Sequence, residues 1–193
     1  DWFKEVLRPW ARQNYMNANL DGGTERIKYF VSFGTKFQDG YFYNSSANYK
    51  QYDFLSNITG TITENISIRV DISGRIENKG SPNNGVTNVI GFVMRGFPTK
   101  PAYWPNGLPG PDNDRTHPGI TGTDATGYDR NKQYTLNSIF GLDIKIPWVK
   151  GLVFNGNASF DKGILFRKRW DIPWYVYFWD GTSYDTNGVP SLV

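Results

Sequence analysis

The chain contains no cysteine and a single histidine, His117, among its 193 residues. The first absence excludes disulfides and thiolate-bound zinc or iron–sulfur centres. The second excludes a multi-histidine metal site and leaves one candidate for any histidine-based triad. His117 has no Gly-x-Ser-x-Gly partner, and the Asp and Glu residues are too scattered to name a catalytic pair. No catalytic residue and no metal or cofactor site stands out. Asp112-x-Asp114 lacks the Gly and the twelfth-position Glu of a calcium loop. Long apolar runs are missing too: the longest is the six residues Trp174–Trp179, against roughly 20 for a membrane helix. That excludes a helical membrane protein but not a β-barrel, whose strands alternate and keep average hydropathy low. Charge of one sign is also lacking, with 21 Lys and Arg against 18 Asp and Glu, which leaves no footprint for nucleic acid. No basic-plus-apolar signal segment opens the chain. It begins at Asp1 and stops just after the turn-rich stretch 180–188, and reads as a fragment of a longer protein.

What is abundant is aromatic: 7 Trp, 12 Tyr and 13 Phe make 17% of the chain. The order of these residues carries the strongest signal. From Ile66 to Glu77, the residues Ile66, Ile68, Val70, Ile72, Gly74 and Ile76 share one parity. Ser67, Arg69, Asp71, Ser73, Arg75 and Glu77 share the other. A period of two places these sets on opposite faces of a strand, whereas a helix would mix them. The same split recurs over 26–38, 51–62, 134–146 and 152–161, and more weakly over 15–21. About six strands of roughly 8–14 residues are expected, longer than the usual five or six and matching the roughly 9–11 that a tilted membrane strand needs.

The expected connections alternate in length. Short ones fall at 21–24, 63–65 and 147–151, with Gly22 and Gly23 supplying the positive φ of a tight hairpin. Long ones fall at 39–48 and 78–133. Short turns at one end and long loops at the other are the asymmetry of an outer-membrane barrel. Within the longer loop, Val86, Val89, Ile90 and Val93 sit at helical spacing. A short helix near 85–95 is expected, capped by Asn83 or Asn84 and stopped by Gly96 and Pro98. The Pro- and Gly-rich stretch 98–114 that follows forbids regular structure.

Several motifs point further. Asp1-Trp2, then Gln13-Asn14-Tyr15, then Asp21-Gly22-Gly23-Thr24 and Tyr29-Phe30-Val31-Ser32-Phe33-Gly34, ending in Gln38-Asp39-Gly40, resemble the SusC/RagA-type TonB-linked outer-membrane transporters. Pro98, Pro101, Tyr103 and Asn106-Gly107 are similar to a loop of that family, and Pro147-Trp148-Val149-Lys150-Gly151 to one of its turns. Tyr15 stands where the family usually has His, and Asp39 where it has Glu. The resemblance covers residue 1 to about 180. It implies a 22-stranded barrel closed by a plug, lying in the outer membrane of a Gram-negative bacterium beneath a SusD-like surface lipoprotein. It also implies import of oligosaccharides or peptides driven by the TonB complex.

The expectation is therefore an all-β, antiparallel up-and-down meander: about six long strands of a larger transmembrane barrel, with one long extracellular loop carrying a short helix. A lead-in occupies 1–12, four strands 13–77, the loop 78–133, two strands 134–166 and an aromatic extracellular segment 167–193. Arg26, Lys28, Lys36, Asp53, Arg69, Asp71, Arg75, Glu77, Asp143, Lys145 and Asp161 would line the lumen. Tyr103, Trp104, Asn106, Asp112, Asn113, Asp114 and Arg115 are the ligand-contact candidates, since aromatic rings offer platforms to sugar faces and carboxylates and amides pair with hydroxyls. Trp170, Trp174, Tyr175, Tyr177 and Trp179 would form an aromatic girdle, with the run Arg167-Lys168-Arg169 meeting lipid headgroups. Not an enzyme but an importer segment is the expected function, with outer-membrane lipid, the TonB complex and the lipoprotein as partners. A soluble β-sandwich that binds carbohydrate stays open as the alternative, as does a passive porin-like barrel.

Overall fold

A computed structural model describes residues 1–111, 116–188 and 190–193. Asp112, Asn113, Asp114 and Arg115, four of the ligand-contact candidates, lie outside the described residues. The architecture is mostly antiparallel β. One sheet holds β1 (Gln13–Gly23), β2 (Ile27–Asp39), β3 (Asn48–Thr63), β4 (Ile66–Pro82), β5 (Gly127–Lys145) and β6 (Val153–Asp171), each paired with its neighbour in chain order. The register carries the period-two pattern across every strand. Ala18 faces Phe33, Phe33 faces Phe54, Phe54 faces Gly74, Gly74 faces Leu136, and Leu136 faces Lys162. Directly opposed residues point to the same side, so the apolar sets merge into one continuous face and the charged sets into the other.

Among the described residues nothing covers the apolar face. Phe33, Phe54, Phe140 and Phe160 are 50%, 44%, 49% and 59% exposed. A sandwich would lay a second sheet there. The only other sheet among the described residues is the small pair β7 (Trp179–Tyr184) and β8 (Pro190–Leu192); Tyr177, just before β7, donates its N–H to Pro109 O in the loops.

Burial is concentrated instead at the loop end. There α1 (Trp2–Val6), the 40–47 loop, α2 (Val86–Arg95), α3 (Pro118–Thr121) and a 3₁₀ turn at Asp124–Thr126 gather. Trp2, Val6, Phe42, Ala47, Val89 and Val93 form the buried cluster, with Leu7, Ile90 and Ala102 packed against it. The helical spacing of Val86, Val89, Ile90 and Val93 puts Val89 and Val93 into this cluster. The lead-in chain is tied down by Arg8 N–H to Tyr41 O and Tyr43 N–H to Val6 O.

The structure corrects several boundaries. β5 starts at Gly127 and β6 continues to Asp171, so the connection between β4 and β5 spans 83–126 rather than 78–133, and the last segment begins at 172 rather than 167. The ladder continues there although hydrophobic alternation has stopped. Neither Asn83 nor Asn84 caps α2: the cap position is Gly85, at φ 75°. The Asn83 side-chain amide donates instead to Thr126 O and to the Asp171 carboxylate. Gly22 and Gly23 are not at positive φ. They are needed for close approach, since a Cβ on Gly22 would lie 2.6 Å from the Tyr29 hydroxyl and one on Gly23 2.3 Å from Ile27 O. The basic run at 167–169 is split by the pleat. Arg167 and Arg169 lie on the charged face, paired with Asp129 and with Asp171 and Asn83, and only Lys168 faces the other way.

Candidate functional site

The pleat sorts the expected lumen residues. Lys28, Lys36, Asp53, Arg69, Asp71, Arg75, Glu77, Asp143, Lys145 and Asp161 all fall on one face of the sheet by register, while Arg26 sits in the turn between β1 and β2. Rows of opposed residues set the pairings. Asp53 is directly across from Arg75, and the guanidinium Nε meets the carboxylate at 2.6 Å. Gln51 Nε2 donates to the other Asp53 oxygen at 2.5 Å. The Tyr49 hydroxyl lies 2.6 Å from Gln51 Oε1 and 2.5 Å from Glu77 Oε1. It has one proton and donates to one of them at a time. The result is a continuous chain, Arg75–Asp53–Gln51–Tyr49–Glu77, over two strands. Nearer the short turns, Arg69 Nε pairs with Asp71 at 3.2 Å, and its Nη2 donates to Asn157 at 3.2 Å. Asn155 donates to Asp143 at 2.5 Å.

Sequence reasoning singled out the charges on this face and passed over the uncharged polar groups between them. Tyr15, Asn17, Ser32, Asp53, Ser73, Arg75, Glu77, Gln133 and Asn137 line a polar hollow of about 580 Å³. Gly34 opens it, leaving Asp53 as the nearest side chain. Asn17 donates to the Tyr15 hydroxyl, and the Ser32 hydroxyl donates to Asn17. Shared parity with the charges was the available signal for these residues. Above the hollow, at the loop end, a second groove of about 510 Å³ lies between Lys36, Gln38, Tyr49 and Lys79 on the strands and Val86 and Ile90 on α2. Together they offer carboxylates, amides, hydroxyls and ammonium groups along one path, with an apolar wall at one end. Such a surface can donate and accept hydrogen bonds along its whole length. It aligns no nucleophile with a base, and no cluster of three His, Asp or Glu side chains is placed to hold a metal ion among the described residues.

The described ligand-contact candidates are held by separate partners. Tyr103 is half-buried over α3, its hydroxyl donating to Gly119 O at 3.1 Å. Burial, helped by the charge of Glu5, raises its phenol above the ordinary tyrosine range. Trp104 donates its indole N–H to Tyr177 O at 2.9 Å and stands edge-on to Trp179 at 6.3 Å, which fastens the 172–193 segment to the loop. Asn106 Oδ1 accepts from Leu108 N–H within a turn. His117 is fully buried. Its Nδ1 accepts from Ile120 N–H at the start of α3, and its Nε2 lies 2.8 Å from Ala102 O. Trp2 packs edge-on against its ring at 5.1 Å. His117 therefore helps hold the loop cluster together.

The girdle candidates divide as well. Trp170 stands on the apolar side of β6, 57% exposed, and Tyr175 is exposed beyond the strand. Trp174 and Tyr177 are partly covered, and Trp179 is locked into the loop assembly by Trp104 and Tyr184. In the comparisons with known proteins, no family model matches the chain and no curated protein matches it.

Proposed function

We propose that this chain is a wall segment of a transmembrane β-barrel importer in the outer membrane of a Gram-negative bacterium. The observation that carries the reading is a single sheet of six long strands with an uncovered apolar face and an ion-paired polar face. Among the described residues no second sheet shelters this face, and bilayer hydrocarbon would do so. Strand length fits: β3 to β6 have 16, 17, 19 and 19 residues, enough to cross the bilayer and project beyond it. All three short turns lie at one end and all longer segments at the other, as periplasmic and extracellular sides would require. The outer strands β1 and β6 each pair on one side only, so a closed barrel needs further strands there.

In this reading the polar hollow and the groove under α2 form a solute path. Oligosaccharide or peptide hydroxyls and amides replace hydrogen bonds along Arg75–Asp53–Gln51–Tyr49–Glu77 as they pass. No bond is made or broken, and no cofactor takes part. Capture by a SusD-like lipoprotein and energy from the TonB complex are the partners that the family resemblance adds.

The test is to express the open reading frame that encodes this chain and to fractionate the cells. Heat-modifiable migration of a detergent-extracted outer-membrane protein is the expected result. A monomer of this chain that is stable in water without detergent sinks the proposal.

A further inference from the structure

The apolar face is graded along the strands. At the level of Gly74 the missing side chain leaves a hollow of about 360 Å³, walled by Tyr52, Phe54, Ile76, Tyr134, Leu136 and Ile164. Tyr52, Ile76, Tyr134 and Ile164 stand opposite one another in one row across β3–β6. The next outward-facing rows toward the loops are basic. Lys50 and Lys132 flank Asn78, and beyond them Arg130 stands directly opposite Lys168. These four cations line a groove of about 670 Å³ together with Phe166.

Arg130 and Lys168 are the pair in direct opposition. Like charges directly opposed across two strands repel. All four side chains are exposed, and none is ion-paired to a carboxylate among the described residues. By register, the only carboxylate on this face of β1–β6 is Asp39 at the loop end of β2, while Asp53, Asp71, Glu77, Asp129, Asp143 and Asp161 point the other way. Neighbouring rings steer two of the cations: the Arg130 guanidinium lies 4.0 Å from the Tyr128 ring centre and the Lys132 ammonium 5.0 Å from that of Tyr134. Strands are about 4.8 Å apart and outward residues about 6.6 Å apart along a strand, so the four heads span the footprint of a phosphorylated sugar headgroup.

We infer that the outward face of β3–β6 holds a phosphorylated glycolipid of the outer leaflet, with phosphate on Lys50, Arg130, Lys132 and Lys168 and an acyl chain in the hollow at Gly74. Charge complementarity selects the headgroup, and the apolar hollow one row below selects a lipid over a soluble anion. Lys162 at the edge of the hollow has a stem long enough to carry its ammonium toward the headgroups. The inference rests on the barrel reading above.

The experiment uses the full-length protein extracted from membranes and placed in phosphatidylcholine vesicles doped with lipid A, then re-isolated for native mass spectrometry. Lipid A stays bound to the parent protein. The combined variant Lys50→Gln, Arg130→Gln, Lys132→Gln and Lys168→Gln retains it at least about tenfold less, and the pair Arg130→Gln and Lys168→Gln shows an intermediate loss without the like-charge contact. Lys28→Gln with Lys145→Gln, on the opposite face, leaves retention unchanged. Dephosphorylated lipid A binds the parent weakly, and inorganic phosphate fails to displace the lipid. Equal retention by the combined variant in protein that inserts normally overturns this inference and leaves the barrel standing, as does displacement by phosphate alone. A protein that needs no detergent overturns both.

Discussion

The six-stranded sheet and the loop assembly at its end keep their apolar surface in opposite places. In the loop assembly, Trp2, Val6, Phe42, Ala47, Val89, Val93 and Ile120 turn inward from separate segments and are each less than a tenth exposed. On the sheet, Phe33, Phe54, Phe140 and Phe160 turn outward and stay about half exposed. Burial from water accounts for the first arrangement at the usual rate for apolar area. It gives no reason for the second, because the phenylalanines gain nothing by standing in water. Under the proposed reading the chain answers to two solvents: the loops fold in water around their own core, and the strands fold in lipid with their polar groups turned inward. Hydrogen bonding follows the same division. The sheet's side chains pair along one face, while the loops are held by caps and long-range contacts such as Trp2 Nε1 to Phe97 O.

The comparison breaks most severely at Val89, which is fully buried. Val89→Asp places an unpaired carboxylate among Trp2, Val6 and Val93, at an expected cost of about 4 kcal/mol or more. Hydrogen exchange is the measurement. The 83–111 and 116–126 segments are expected to lose protection while β3 and β4 keep theirs. If the strands lose protection equally, the two regions form one cooperative unit and the contrast drawn above fails.

A second substitution, placed on either side of the sheet, sharpens it. Phe140→Arg adds a charge to the apolar face near its centre, and Asn137→Arg adds the same charge to the polar face a short distance along the same strand. In a bilayer the first is expected to cost about 2–4 kcal/mol and the second little, since under the barrel reading the polar face meets water. In water the two would differ hardly at all, because both positions are exposed. Unfolding titrations of each variant in vesicles, set against the parent, read the difference directly.

How much of this was legible beforehand depended on which solvent each stretch meets. Ile66–Glu77 announced its strand because one face had to be apolar, and parity assigned each residue to a face, while the register came only with the structure. At 127–133 the sequence Gly-Tyr-Asp-Arg-Asn-Lys-Gln carries polar groups on both faces, so the ladder of β5 runs on with no hydrophobic alternation to mark it. The same is true of Arg167-Lys168-Arg169 in β6, where only the pleat reveals that the middle cation parts from its neighbours. The polar hollow was half legible: its charges were found by parity, and Tyr15, Asn17, Ser32 and Gln133 went unnoticed because uncharged polar residues are common everywhere. The loop cluster was the least legible. Val89 and Val93 had helical spacing, but Trp2, Phe42 and Ile120 reach them across long stretches of chain, and the two hydrogen-bonding roles of His117 have no local signature.

The smallest expected effect concerns Tyr103, which belongs to the loop assembly by its hydrogen bond to Gly119 O and its edge contact with His117 at 5.7 Å. Burial, with Glu5 adding to it, raises the folded-state pKa above that of the unfolded chain, which is about 10. A group raised in this way contributes its stabilisation fully below the unfolded value and loses it as pH climbs through the folded one. Loosening of the loop assembly above about pH 10 should therefore have a component that Tyr103→Phe removes. At neutral pH the same variant forfeits one partly buried hydrogen bond, a loss of about 1 kcal/mol. Thermal melts followed by tryptophan fluorescence, which Trp2 and Trp104 report from within this assembly, measure both effects across a pH series. The variant should melt earlier than the parent near neutrality and converge with it in alkali. Parallel curves at every pH would mean that the Tyr103 phenol stays neutral throughout and that its hydrogen bond alone supports α3. Strand unfolding that shifts by the same amount would instead tie the sheet to the loops and erase the division between them.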